Sequence, residues 1–385
     1  MSRPRDFQLL IKPVSADCNL ACRYCFYRRV AGMYPGASAH RMPRDVLEHM
    51  VSAYLAACRT TTATFAWQGG EPLLAGLDFF VDAFGLMAAH GRGGQAVANA
   101  VQTNGVLINR EWARLFVAYS VLVGVSLDGP RHLHEHYRVG PQGAAFDAVM
   151  AGIGCLRDAR AEFNLLTMIT SHSAPHGAEI YRFLRDQGFT YLQFIPCVEA
   201  DPHTGESAPY TVAPEAFGDF MCALFDAWRA DGVGEVSVRL FDAIIERELC
   251  GRSSLCQLDG PCSGYLVVEH NGDVYPCDFF VRPEWRLGNL VRDDFDALFA
   301  GSGAQSPDRA GAARWRDFCA QRAANAPACA ECEWLDLCRG GCCKDRLLAG
   351  GIDRRTYLCA GHRRFFSHAV DDLRRLAREG MRRPP

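Results

Sequence analysis

The sequence predicts an α/β protein whose first part builds a parallel sheet and whose second part is a small cysteine-rich domain. Apolar runs ending in loops recur along the first half with amphipathic segments between them, and strand then helix, repeated, means a parallel sheet. Eighteen cysteines are grouped rather than spread, with ten of them between Cys250 and Cys343. A length of 385 residues is long for one domain, so one large domain with a smaller appendage is expected.

Strands are expected at Gln8 to Val14, Ala63 to Trp67, Ala96 to Gln102, Val121 to Leu127, Asn164 to Ile169 and Tyr191 to Ile195. Helices are expected at Pro43 to Cys58, Leu77 to His90, Arg110 to Tyr119, Ala144 to Arg157 and Ala178 to Gln187. An open doubly wound sheet and a partial barrel both satisfy this order, and in both, ligands collect at the C-terminal ends of the strands. The polar motifs of this half sit there. The first strand is followed by Cys18-Asn19-Leu20-Ala21-Cys22-Arg23-Tyr24-Cys25, and the second by Gln68-Gly69-Gly70-Glu71-Pro72. Paired glycines let backbone approach a ligand closely. Gln102-Thr103-Asn104-Gly105 follows the third strand and Ser126-Leu127-Asp128-Gly129-Pro130 the fourth, supplying short hydroxyl and carboxylate groups fit for a ribose or a carboxylate. Each is equally an ordinary strand-ending turn.

Arg131 to Gly143 reads as a polar loop with His132, His134, His136 and Arg138. Alternating histidines suggest zinc, but on a strand they share one face with no fourth ligand evident. Val198 follows the sixth strand. Residues 200 to 250 read as a connecting segment with helices at Pro214 to Ala230 and Arg239 to Leu249. Tyr265 to Glu269 and Asp273 to Tyr275 flank the strong turn signal His270-Asn271-Gly272 and predict a hairpin ending at Cys277, with Asp278 next. Gly301 to Gly311 is a flexible loop, and Arg363 to Arg383 fits an amphipathic helix with Phe366, Val370, Leu373 and Ala377 on one face.

Hydrophobic content of 49% and charged content of 22% are those of a soluble globular protein. With a net charge of -3, no global basic field argues for nucleic acid or an anionic membrane. The N-terminal apolar run is too short for a signal peptide, and no stretch reaches the roughly 18 apolar residues of a membrane span. The expected location is the cytoplasm, where grouped cysteines bind metal more often than they form disulfides. Three thiolates can hold three irons of a cubane and leave the fourth open. The same spacing also suits a buried helical stripe of small apolar thiols.

The C-x3-C-x2-C loop at Cys18, Cys22 and Cys25, with Tyr24 before the last cysteine, resembles the signature of radical S-adenosylmethionine enzymes. The resemblance implies a partial (β/α)6 TIM-like barrel at 1–235 and a SPASM iron-sulfur domain at 236–385. It implies that the open iron is chelated by S-adenosylmethionine, that Gly69, Gly70 and Glu71 contact the amino group of that cofactor, and that Tyr24, Ser126, Arg138 and Val198 complete the site. The second-half cysteines resemble those of the SPASM extension, which builds two further clusters. The implied ligands are Cys256, Cys262, Cys277 and Cys342 for one, and Cys329, Cys332, Cys338 and Cys359 for the other. Two zinc sites are the alternative, although the x5 and x3 spacings meet the zinc rule poorly. Cys343, beside Cys342, leaves that ligand uncertain by one residue.

Together the halves resemble the anaerobic sulfatase-maturating enzymes, which oxidise a cysteine or serine of a sulfatase polypeptide to Cα-formylglycine. Three 4Fe-4S clusters and S-adenosylmethionine are implied as cofactors. The implied partners are an unfolded or nascent sulfatase segment and a flavodoxin- or ferredoxin-like electron donor, with neither nucleic acid nor membrane. A 5′-deoxyadenosyl radical takes a hydrogen atom from the substrate Cβ, which must then lose a proton and a second electron. A carboxylate can take the proton, and Asp278 matches the family's proposed base. Two other readings compete: a SPASM enzyme forming thioethers or crosslinks in a ribosomal peptide, and a non-catalytic electron-transfer protein. The first commonly carries an extra N-terminal recognition domain, whereas the cysteine loop here begins at residue 18; the second has no need of an open iron.

Overall fold

Each apolar run forms a strand and each amphipathic segment a helix in the computed structural model, which describes residues 7–35, 39–140, 143–201, 203–260, 262–300, 310–351 and 354–381. The order is β1 (Gln8–Lys12), α1 (Arg44–Ala57), β2 (Thr62–Trp67), α2 (Leu77–His90), β3 (Ala96–Thr103), α3 (Arg110–Ala118), β4 (Val121–Ser126) and α4 (Arg131–Tyr137). A two-residue pair, β5 (Val139–Gly140) and β6 (Gly143–Ala144), precedes α5 (Phe146–Ala159), β7 (Phe163–Ile169), α6 (Gly177–Asp186) and β8 (Tyr191–Pro196). Then come α7 (Pro214–Asp231), β9 (Ser237–Val238), α8 (Arg239–Cys250), α9 (Cys256–Asp259), β10 (Tyr265–Glu269), β11 (Asp273–Tyr275) and β12 (Gly288–Asn289). Short helices α10 (Phe295–Ala300), α11 (Gly311–Ala323), α12 (Leu335–Cys338) and α13 (Cys343–Leu348) lead to the long α14 (Cys359–Met381). Of the loop expected at Gly301 to Gly311, residues 301–309 lie outside the described residues.

Two compact units are formed by discontinuous segments. The first comprises Met1–Val125, Arg138–Phe163 and Cys262–Ala320, and the second Ser126–Tyr137, Asn164–Pro261 and Gln321–Pro385. In the first unit the strand order is β12-β11-β10-β1-β2-β3-β4. Strands β1 to β4 are parallel, and β10 joins the free side of β1, also parallel, with Leu9 opposite Leu266 and Ile11 opposite Val268. The hairpin β10–β11 therefore extends the sheet. Strict alternation on β1 and β2 turns Leu9, Ile11, Ala63, Phe65 and Trp67 fully inward. Helix α1 covers them with Leu47, Met50, Val51 and Tyr54, whose hydroxyl donates to the Phe7 carbonyl at 2.8 Å.

The second unit pairs β7, β8 and β9 in parallel. Its main helical contact is α7 against α14. The apolar stripe of α14 is buried, with Phe366, Val370, Leu373 and Ala377 all at 2% exposure or less. The ring of Phe365 stacks on Phe241 of α8 with centroids 5.7 Å apart.

The segment expected as a polar loop from Arg131 is helical up to Tyr137. The reason is that the three histidines obey a helical rather than a strand period: His134 turns inward, fully buried, with its Nδ1 3.2 Å from the Asp128 N–H, while His132 and His136, four apart, stay exposed. Among the described residues no helix is long and apolar enough to cross a membrane.

Candidate active site

The loop after β1 folds tightly about its cysteines. The Cys25 N–H donates to the Cys22 carbonyl at 3.2 Å, and the Leu20 N–H points at Cys18 Sγ from 3.4 Å. Burial, with the negative charges of Glu71, Cys22 and Cys25, pushes the Cys18 thiol up to about 12 against that N–H. A thiol held protonated this way ionises when it ligates a cation, and three sulfur donors on one short loop suit an iron-sulfur cluster.

The Gly-Gly turn after β2 sits against this loop. Gly69 and Gly70 have φ of 96° and 51°, and a Cβ on either would collide with the Lys12 side chain or the Asp17 carbonyl. Only glycine permits the approach. Glu71 is fully buried, and its carboxylate accepts from the Leu73 N–H (3.0 Å), the Thr103 hydroxyl (2.8 Å) and the Asn104 N–H (2.8 Å). Burial outweighs these three donors and raises its pKa from 4.5 to about 7. Its carboxylate thus ties the end of β3 to the turn. Asn104 continues the tie, donating to Asn19 at 2.7 Å and reaching Cys18 Sγ at 3.7 Å.

Tyr24 and Arg138 meet in the first unit, with the guanidinium 5.4 Å from the ring centroid and both side chains buried. The next residue, Val139, accepts the Ala21 N–H at 2.7 Å, so β5 is anchored to the cysteine loop. Ser126 and the buried Val198 belong to the second unit.

Beyond β11 the chain brings Asp278 beside the turn after β2. Its Oδ2 lies 3.4 Å from the Gln68 amide nitrogen and 4.0 Å from Lys12 Nζ, and its Oδ1 lies 3.4 Å from Cys277 Sγ. Lys12 is wholly buried, and that burial lowers its pKa despite the nearby Asp278 and Glu269. Its amine sits 4.5 Å above the ring of Tyr27, whose hydroxyl donates to Glu269. Gln68 and Lys12 are the polar groups that the sequence did not single out for this site. Their signals were a glutamine leading the Gly-Gly turn and a lysine closing an apolar strand.

In the second unit Cys329, Cys332, Cys338 and Cys359 line one cavity together with Arg355, His362 and Arg363. The four sulfur donors suit a closed iron-sulfur cluster. His362 reaches within 4.0 Å of Cys338 Sγ, and burial pushes its pKa down to about 4. Of the other predicted set, Cys262 and Cys277 lie in the first unit and Cys256 and Cys342 in the second. Burial raises the Cys342 pKa, followed by the charges of Asp345 and, more weakly, Cys256. Cys343 turns into the protein at 1% exposure.

Family models match residues 13–192 to the radical SAM superfamily and residues 262–333 to the iron-sulfur cluster-binding SPASM domain. The fold and site define a radical S-adenosylmethionine oxidoreductase that binds the cofactor, a 4Fe-4S cluster and additional clusters in its SPASM part. The chain is 35% identical over 370 residues to the cysteine-type anaerobic sulfatase-maturating enzyme of Clostridium perfringens, covering 95% of this chain and 96% of that protein. It is 32% identical over 395 residues to the serine-type enzyme of Bacteroides thetaiotaomicron, covering 98% and 92%. Native anSMEcpe solved with bound AdoMet and Cp18Cys peptide matches with a TM-score of 0.86 at 34% identity, over 97% of this chain and 99% of that one. The chain belongs to the anaerobic sulfatase-maturating enzymes, which oxidise a cysteine or serine to formylglycine. Its substrate is a peptide.

Proposed function

We propose that this enzyme modifies an unfolded or nascent segment of a sulfatase, with Asp278 accepting the proton that oxidation of the side chain releases. The observation that carries this reading is the placement of the Asp278 carboxylate beside Cys277 and against Gln68 at the head of the Gly-Gly turn. When bound, S-adenosylmethionine and the clusters would supply hydrogen-atom abstraction and one-electron transfer. The Asp278 carboxylate receives the proton, and the Gln68 amide holds it in place.

Cys18, Cys22 and Cys25 hold the first cluster in this reading, supported by the effect of Cys22 and Cys25 on the Cys18 thiol. Gly69 and Gly70 offer backbone to the cofactor amino group while Glu71 holds the turn, and Tyr24 with Arg138 forms one wall; Ser126 and Val198 join the cofactor contacts on the strength of the resemblance. Cys329, Cys332, Cys338 and Cys359 hold a closed cluster, as their shared cavity supports. Cys256, Cys262, Cys277 and Cys342 hold the third. The electrostatic effect of Cys256 on Cys342, and the inward turn of Cys343, favour Cys342 as its ligand. The radical-generating part ends near residue 235, a flavodoxin- or ferredoxin-like protein delivers the electrons, and the enzyme works in the cytoplasm.

The test is an anaerobic assay of paired sulfatase peptides differing only by cysteine or serine at the modified position, read by mass spectrometry. Formylglycine in at least one peptide, with matching 5′-deoxyadenosine, is expected. Formation of 5′-deoxyadenosine with neither peptide modified would sink the reading.

A further inference from the structure

The second unit carries a histidine cluster that the reaction does not use. His132 and His136 stand one turn apart on the exposed face of α4, and His172 and His176 stand four residues apart on the segment leading into α6. The rings of His136 and His172 stack with centroids 3.7 Å apart and planes 12° from parallel. The rings of His132 and His176 approach edge to face with centroids 6.1 Å apart. Glu179, in the first turn of α6, joins this second pair: its Oε2 is 2.7 Å from His176 Nδ1 and its Oε1 is 3.5 Å from His132 Nε2.

One donor atom from each of His132, His176 and Glu179 lies within 4.8 Å of the other two. A first-row divalent ion bonded at about 2.0 to 2.2 Å draws tetrahedral ligand atoms to about 3.4 Å from one another. The remaining closure is small. His132 and Glu179 are exposed and His176 is half-buried, so rotation of their side chains supplies it. Two imidazoles and a carboxylate are a donor set that zinc takes readily, and it differs in kind from the all-sulfur sets that suit iron-sulfur clusters. Arg131, the adjacent cation, is paired with Glu135 at 3.0 Å.

We propose that His132, His176 and Glu179 form a surface site for a zinc-class divalent cation that clips α4 to the start of α6. Water fills the open coordination positions. The ion binds without touching the iron, because imidazole and carboxylate compete poorly with thiolate for iron-sulfur assembly and thiolates already committed to clusters are not available to zinc.

The experiment is equilibrium dialysis of the tag-free, anaerobically reconstituted full chain against zinc alone, with zinc and iron both measured by elemental analysis. Wild type should take up one zinc per chain in the micromolar range while its iron content stays constant. His132→Ala combined with His176→Ala should abolish that zinc, and Glu179→Gln should weaken it about tenfold, the order of losing one charged ligand. The exposed His203→Ala, outside the cluster, should bind as wild type does. Equal zinc uptake by wild type and the double variant, or zinc uptake matched by loss of iron, would overturn the proposal.

Discussion

Asp278 and Glu71 are both carboxylates near the cysteine loop, and their surroundings give them opposite work. Asp278 Oδ2 accepts from the Gln68 amide and faces Lys12 Nζ at 4.0 Å, while its Oδ1 lies beside Cys277 Sγ. Asp278→Asn preserves size while removing the base. This variant should keep its iron and still release 5′-deoxyadenosine, yet form formylglycine roughly a hundredfold more slowly, on the order of losing a general base. Wild-type rates in it would remove Asp278 from the mechanism, and loss of iron would make its role structural. Glu71, by contrast, is saturated with donors and buried. Its folded pKa of about 7 exceeds the ordinary 4.5, so the folded chain holds the proton more tightly than the unfolded chain. Its contribution to stability is full below pH 4.5 and is lost as pH rises through about 7, a change of about 3 kcal/mol. Urea midpoints across that window should fall with rising pH in wild type and vary less in Glu71→Gln; equal slopes would show that Glu71 does not titrate there.

The cysteine loop and the SPASM cavity are built differently, and their variants should fail differently. The loop is braced by the Gly-Gly turn, by Asn104 and by Val139, all backbone or side-chain contacts of the protein itself. Replacing Cys18, Cys22 and Cys25 with alanine should remove about four irons and abolish cofactor cleavage while leaving the fold intact. Retention of all iron would disprove the assignment. Among the described residues, the segment around Cys329 to Cys359 has the short α12 and α13 joined by loops, so a cluster there is part of what holds it together. Cys332→Ala should lose soluble yield as well as activity. A fully soluble, fully active variant would show that this cluster is dispensable or misplaced.

For the whole molecule, three cubanes require about twelve irons per chain after anaerobic reconstitution, measurable by elemental analysis. A value near eight would remove one of the cysteine sets from cluster binding. The two units are each assembled from separated segments, so each depends on contacts between residues far apart in the chain. The hairpin that carries Cys277 and Asp278 illustrates this, since it adds to the sheet beside β1 although more than half the chain separates them.

Periodicity and spacing, which are local properties, determined the six strands, the helices between them, the hairpin turn at His270 to Gly272 and the grouping of the cysteines. Those features need only neighbours along the chain, and α1, β2, β10 and β11 appear within a residue or two of where their patterns put them. Where two periods fit a short segment, local pattern failed: histidines two apart from His132 looked like a strand or loop, and only packing showed that His134 turns inward while its neighbours stay out. Tertiary structure alone decided which polar side chains meet. Lys12 and Gln68 gained meaning only when β10 paired with β1 and the chain beyond β11 came to their side. A hydrogen bond such as Gln68 to Asp278 joins residues whose separation along the chain carries no periodic signal, so nothing short of the folded sheet could announce it.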